Sequence, residues 1–267
     1  MKPLQFLLNL LLILSIPLGA QAAPEVIYKD KAGRVLTRND LKDLNGTFKW
    51  EILQITPVSN EAVQLHELGR AAGQKGDSAT ALRHFEAAAK AEPRWPYPVY
   101  DAAFTYLLQK DFPKAREFYR RVDAMAPRGF FTVKTAVHTL DLEQRGKLPP
   151  GTYLQYVSLE WMNDKNRVKQ AALDMTVRIP NFAPAWKTAA LLEPDLAKRR
   201  ALLEKGLSAA PDLETRGFLL LNKAAVLMQQ GDKAAALQIV GDLALDPSSP
   251  ADIEALAKQS VALMVSK

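Results

Sequence analysis

Along the 267-residue chain, apolar and polar positions fall into three textures. Residues 4–17 are a nearly continuous apolar run, broken only by Gln5, Asn9 and Ser15. Residues 24–60 carry short apolar clusters parted by turn residues. From residue 61 onward apolar positions recur every three or four residues, the spacing of amphipathic helices.

The helical part repeats itself. Leu65, Leu68-Gly69, Gly76-Asp77, Ala81, Phe85, Ala88 and Pro93 form one series. Val99, Ala102-Ala103, Lys110-Asp111, Ala115, Tyr119, Val122 and Pro127 follow, each 34 residues after its counterpart. The residue types have a mechanical reason. Small residues (Gly69 with Ala81, Ala103 with Ala115) sit where two helix backbones cross closely, and Leu65, Phe85, Val99 and Tyr119 fill the space beside them. Asp77 and Asp111 are placed to cap the second helix of each pair. Pro93 and Pro127 stop it. One pair cannot bury its own apolar face, so neighbouring pairs must stack.

This pattern resembles the tetratricopeptide repeat. The resemblance implies an all-α fold, an α-solenoid of helix pairs wound into a right-handed superhelix. The spacing returns at Tyr156, Leu159, Asn163-Asp164, Val168, Ala172, Met175 and Pro180. It returns again at Leu220, Ala224, Leu227, Gly231-Asp232, Ala236, Val240, Leu243 and Pro247, the last one residue early. Trp186, Ala189-Ala190 and Pro211 mark a shortened unit that Pro194 divides. Between Pro127 and Pro180 the interval is 53 residues, a surplus of 19 over one repeat. The surplus predicts an additional helix at 130–144, followed by a break at 146–151. The pattern leaves open whether this helix pairs in sequence or interrupts the superhelix. Residues 251–265 are amphipathic and predict a capping helix.

In tetratricopeptide proteins the first helix of each pair lines a concave groove. Carried onto this sequence, that face holds His66, Arg70 and Gln74, then Tyr97, Tyr100, Phe104 and Leu108. Lys134, His138 and Asp141 follow if 130–144 keeps register, then Tyr153, Val157 and Trp161. The groove so built is aromatic in the middle with cations at its edge. It implies docking of an extended peptide or a helix from another protein. Some tetratricopeptide domains hold a C-terminal carboxylate with Lys and Asn. Here His66 and Arg70, then Tyr100 and Phe104, occupy that face and the Asn residues are missing, so that specificity is not carried over.

Residues 24–60 read as a small head. Val26-Ile27-Tyr28 and Arg34-Val35-Leu36 flank Lys31-Ala32-Gly33 and predict a β-hairpin. Thr37 with Asp40 predicts a short helix ending near Asn45-Gly46, and 47–55 a further strand. Asn45-Gly46-Thr47 also fits a glycosylation sequon, though Asn-Gly is a strong turn signal. So few strands are marginal alone, and the first helix pair is the expected support. Residues 1–22 have the form of a secretory signal: Lys2, the apolar run, then Ala20-Gln21-Ala22 as cleavage site. The run is shorter than the ~20 residues of a membrane span, which favours cleavage after Ala22 over an uncleaved anchor. A periplasmic or secreted protein without stable membrane insertion is expected. The divisions are therefore a leader at 1–22, a head at 23–60, repeats at 61–249 (irregular at 128–150) and a cap at 250–267.

Composition narrows the chemistry. There is no cysteine, which excludes disulfides, thiolate metal sites and cysteine nucleophiles. Three histidines make a histidine cage improbable. The net charge of +6 has no long basic run, which argues against nucleic acid. His66-Glu67-Leu68-Gly69-Arg70 starts like a zinc-protease motif but has Arg where the second His belongs. Gly73-Gln74-Lys75-Gly76 has the wrong spacing for a phosphate loop. No metal, no cofactor and no enzymatic activity are expected. The alternative to a protein partner is an anionic glycan or lipid head group at Arg70, Lys134 and His138. One measurement checks the repeat register: Ala81→Leu overpacks a helix crossing and should cost about 1–3 kcal/mol, read as a lowered melting temperature.

Overall fold

A computed structural model describes residues 25–29, 49–53 and 58–265. Two strands, β1 (Glu25–Lys29) and β2 (Lys49–Leu53), pair antiparallel with Ile27 opposite Glu51. The expected first strand is therefore paired with the expected last one. The signal segment, the strand at 34–36, the helix at 37–44 and the Asn45-Gly46 turn lie outside the described residues.

Twelve α-helices follow among the described residues. The first two pairs are α1 (Asn60–Gln74) with α2 (Ser78–Ala91), and α3 (Pro96–Leu108) with α4 (Phe112–Met125). Then come α5 (Val133–Gln144), the short α6 (Thr152–Val157) with a 3₁₀ turn (Ser158–Trp161), and α7 (Lys165–Arg178). The last units are α8 (Ala183–Leu191) with α9 (Leu196–Ser208), α10 (Leu213–Gln229) with α11 (Lys233–Leu245), and the cap α12 (Ala251–Val265). Helices adjacent in sequence pack on one another through most of the array, which is an α-solenoid of tetratricopeptide-type pairs.

Local chemistry explains the boundaries. Asp77, Asp111, Asp195 and Asp232 each accept the backbone N–H three residues on, at 2.8–3.2 Å, capping α2, α4, α9 and α11. The residue before three of these caps is left-handed: Gly76 (φ 80°), Lys110 (φ 62°) and Gly231 (φ 87°). Lys110 thus holds a conformation its side chain disfavours.

The crossings carry the small residues the spacing predicts. Ala81, Ala103 and Ala115 are fully buried. A Cβ on Gly69 would stand 2.5 Å from Cε1 of Phe85, itself 3% exposed, so only glycine admits the α1–α2 approach. Core residues of α3 and α4 (Val99, Leu107, Tyr119, Val122) continue without a break into Val133, Ala136 and Leu140 of α5.

The additional helix settles the point the spacing left open. Helix α5 packs on α4 as the first helix of a further unit, so it pairs in sequence. The residues after it do not make the expected full-length helix. α6 has six residues and tightens into the 3₁₀ turn, where the Ser158 hydroxyl donates to the Gln155 carbonyl at 2.6 Å and competes with the helical ladder.

α5 also packs against α10, far along the chain. The Thr135 hydroxyl lies 3.2 Å from Asp212 Oδ1 and from Thr215 Oγ1. Nearby, Ala251 N–H donates to the Arg128 carbonyl at 2.7 Å, and the Arg128 guanidinium pairs with Glu254, which Lys258 also meets. The array therefore curls until its middle touches its end. Among the described residues, strand β1 lies beside α12. At the end of the cap, Val265 is 48% exposed.

Replacing Lys110 with glycine should relieve more left-handed strain than it costs in unfolded-state entropy. Lys110→Gly is expected to stabilise the chain by about 0.5–1 kcal/mol, measured by chemical denaturation.

Candidate functional site

On the inner side of the curl, side chains of α3, α5, α6, α8, α10 and α12 are linked to one another, and this inner face is the cleft. On one wall Tyr97 and Tyr100 of α3 meet Phe130 and Phe131 of the α4–α5 loop. Ring centroids are 4.9 Å apart for Tyr97–Phe130, 5.5 Å for Tyr97–Phe131 and 5.2 Å for Tyr100–Phe131. Phe131 is 49% exposed and left-handed at φ 47°, a strained conformation for an aromatic residue. Its neighbours over-determine it: Phe130 is buried beneath it at 4.6 Å, and the next residue, Thr132, is the N-cap of α5. A ring is thus held out of the core at the cleft.

Polar groups continue inward. The Tyr100 hydroxyl lies 3.4 Å from Thr132 Oγ1, which is 3.1 Å from the buried Tyr153 hydroxyl. Burial holds both phenols above their ordinary range, so they stay neutral. Lys187 of α8 projects between Tyr156 and Phe218, its ammonium 5.9 Å and 5.2 Å from the ring centroids. Burial works against its charge, but Tyr156, Glu214 and Asp212 outweigh that and keep it protonated. Glu214, 3% exposed, is pushed far above the carboxylate range by burial, with Lys187 opposing and Asp212 and Asp252 adding to the rise. Desolvation likewise raises Asp252, and raises Glu160 even though its side chain is exposed. Glu143 is raised by burial as well, against the two backbone N–H groups (Gly151 and Tyr153, both 2.7 Å) that it accepts at the start of α6.

The residues expected in the groove divide. Tyr97, Tyr100 and Phe104 lie on α3 against the core cluster, each partly open. Arg70 and Gln74 are exposed, Arg70 only 3.8 Å from Glu67 one turn back. Trp161 is 56% exposed at the end of the 3₁₀ turn. His66 is not a groove residue. It is 4% exposed, packs on Phe85 and Trp95, and meets Asp101 Oδ2 at 2.8 Å, so it belongs to the core between the first two units. Tyr153 is 1% exposed and equally internal.

Lys134 is turned away too. Its ammonium lies 2.7 Å from Asp123 of α4, while Asp141 on the same helix takes Arg120 at 2.8 Å. His138, half-buried, lies on the same stripe of α5 between these two residues. The reason is that Thr135, on another face of α5, is bonded to α10, which sets the helix's rotation. The groove residues expected from the sequence do not include Phe131, Lys187, Glu214 or Phe218. The first-helix rule, extended to the later units, reaches Lys187 and Phe218. Glu214 stands in the first turn of α10, where an acid ordinarily faces water, and nothing local marks it for burial.

Among the described residues no group of three or more His, Asp or Glu is arranged to hold a metal ion. No described helix is long and apolar enough to cross a membrane.

No family model and no curated protein sequence matches the chain. Solved structures similar to it include MamA (residues 41 to the end) from Desulfovibrio magneticus RS-1, with 14% identity and a TM-score of 0.34, covering 69% of this chain and 94% of that one. TTC0263, a thermophilic TPR protein in Thermus thermophilus, has 18% identity and a TM-score of 0.32, covering 76% and 99%. The TPR2AB domain of yeast Sti1, in complex with an HSP90 peptide, has 15% and 0.38, covering 78% and 86%. At TM-scores this low the likenesses carry no argument of their own, and the architecture rests on the helix pairing described above.

Glu214 yields a pH prediction. Its folded carboxyl binds a proton more tightly than the unfolded one, whose ordinary value is 4.5. Stability contributed by this group is therefore complete below that pH and declines as pH rises towards the folded value. Glu214→Gln should match wild type near pH 4.5 and become progressively more stable than it above that pH, as read by urea midpoints.

Proposed function

We propose that this protein is a non-enzymatic adaptor of the periplasm or extracellular space that holds a partner's peptide or helix in its concave cleft. One observation carries the reading: Phe131 is held outward in a left-handed conformation beside the half-open Tyr97 and Tyr100. Strain of about 1–3 kcal/mol is carried by a residue whose ring stays half open to solvent. Rigid aromatic rings are common anchors in protein interfaces. The raised carboxyls of the cleft are accounted for by burial. The exported location follows from residues 1–22 with cleavage after Ala22.

The alternative, an anionic glycan or lipid head group at a basic edge, loses its main cation. Lys134 is engaged by Asp123, and the cleft floor is rich in carboxyls.

The absence of cysteine makes the test direct. Phe131→Cys and the outer-face control Val177→Cys (81% exposed) would be labelled with a photoreactive maleimide and crosslinked in envelope extract. A partner captured from position 131, absent from 177, and lost on adding Arg70→Glu/Tyr100→Ala is expected. Equal capture from both positions would reject the cleft. In the same preparation, a mature chain beginning at Ala23 in the exported fraction is expected, read by N-terminal sequencing.

A further inference from the structure

We propose that the partner segment enters the cleft with a basic side chain, lysine or arginine, set among the carboxyls of α3, α10, α12 and the 3₁₀ turn. This rests on the cleft reading above and gives it a chemistry.

The charges facing the cleft are unbalanced. Asp101 comes from α3, Glu160 from the 3₁₀ turn, Asp212 and Glu214 from the start of α10, and Asp252 from the start of α12. Lys187 of α8 is the cation that acts on Glu160, Glu214 and Asp252 alike. His66 is spent on Asp101, and Arg128 and Lys258 on Glu254. Tyr97, Tyr100, Tyr153 and Tyr156, the remaining titratable groups there, bring no positive charge.

The second observation is independent of that count. Glu214 Oε2 is buried without a hydrogen-bond partner, and so is Asp212 Oδ2. Glu214 lies within electrostatic reach of Tyr100, Tyr153 and Lys187, all on the cleft walls. Buried acceptors left open are costly unless something donates to them. A guanidinium or ammonium supplies donors and charge together. The partly open rings of Tyr97 and Tyr100 and the exposed ring of Phe131 suit the same group, because aromatic rings attract cations.

The local sign opposes the whole. At +6 the chain should repel a basic peptide and attract an acidic one. A preference for a basic peptide would therefore be a property of the cleft.

The full chain would be titrated against a fluorescein-labelled Gly/Ser peptide bearing arginines, and against its counterpart bearing glutamates, by fluorescence anisotropy. The arginine peptide is expected to bind about tenfold tighter or better. Glu160→Gln, an exposed change that leaves the core alone, should weaken it about threefold. Lys187→Met should tighten it. A glutamate peptide that binds as well or better, or no binding of either peptide, overturns the proposal. If arginine preference survives Tyr100→Ala and Phe131→Ala unchanged, the cleft itself is wrong and both readings fall; if those variants abolish binding of a glutamate peptide, the cleft stands and only its charge preference is wrong.

Discussion

The structure depends on backbones approaching where no side chain can intervene. At the α1–α2 crossing even one methyl on Gly69 would meet the Phe85 ring. At the other end, Gly217 of α10 makes the same allowance for Ile253 of α12, 2.6 Å from where a Cβ would stand. Between these points small residues recur wherever helices cross. Each contact buries the apolar stripe of one helix on the next, and no pair is stable without its neighbours. Dispersion and burial along this seam hold the solenoid, whereas the surface ion pairs contribute little.

A second constraint acts across the array. Thr135 of α5 is bonded to Asp212 and Thr215 of α10, and the Arg128 loop to α12. These contacts close the curl and turn an open concave face into a cleft. They also decide which groups the cleft contains. By fixing the rotation of α5 they send Lys134 to Asp123 on the outer side. By covering the start of α10 they bury Glu214, which in an open solenoid would sit in water as an ordinary first-turn acid. The character of the inner face is a product of closure.

Closure and strain meet at one loop. Gly129 and Phe131, both left-handed, steer the chain from α4 into α5, and Arg128 beside them reaches α12. The segment that presents an aromatic ring to the cleft is also the segment that holds the middle of the array to its end. Occupancy of the cleft and integrity of the closure are thus tied to the same residues.

The helix pairs, their turns and their crossing residues were legible in the 34-residue spacing, because close packing admits few residue types at a crossing and capping few at a turn. Ala81, Ala115, Asp77 and Asp111 do in the structure what their positions implied. The additional helix was legible as a length surplus, but its partners were not: α5 meets α10 some 80 residues away, through threonines that look like any half-polar helix positions. His66 and Tyr153 were misplaced for the same reason, since burial by a neighbouring unit leaves no mark on a residue's own periodicity. The order of elements is local and is written in the sequence. The curl, the sign of charge in the cleft and the exposure of Phe131 come from contacts between distant segments, and only the tertiary structure decided them.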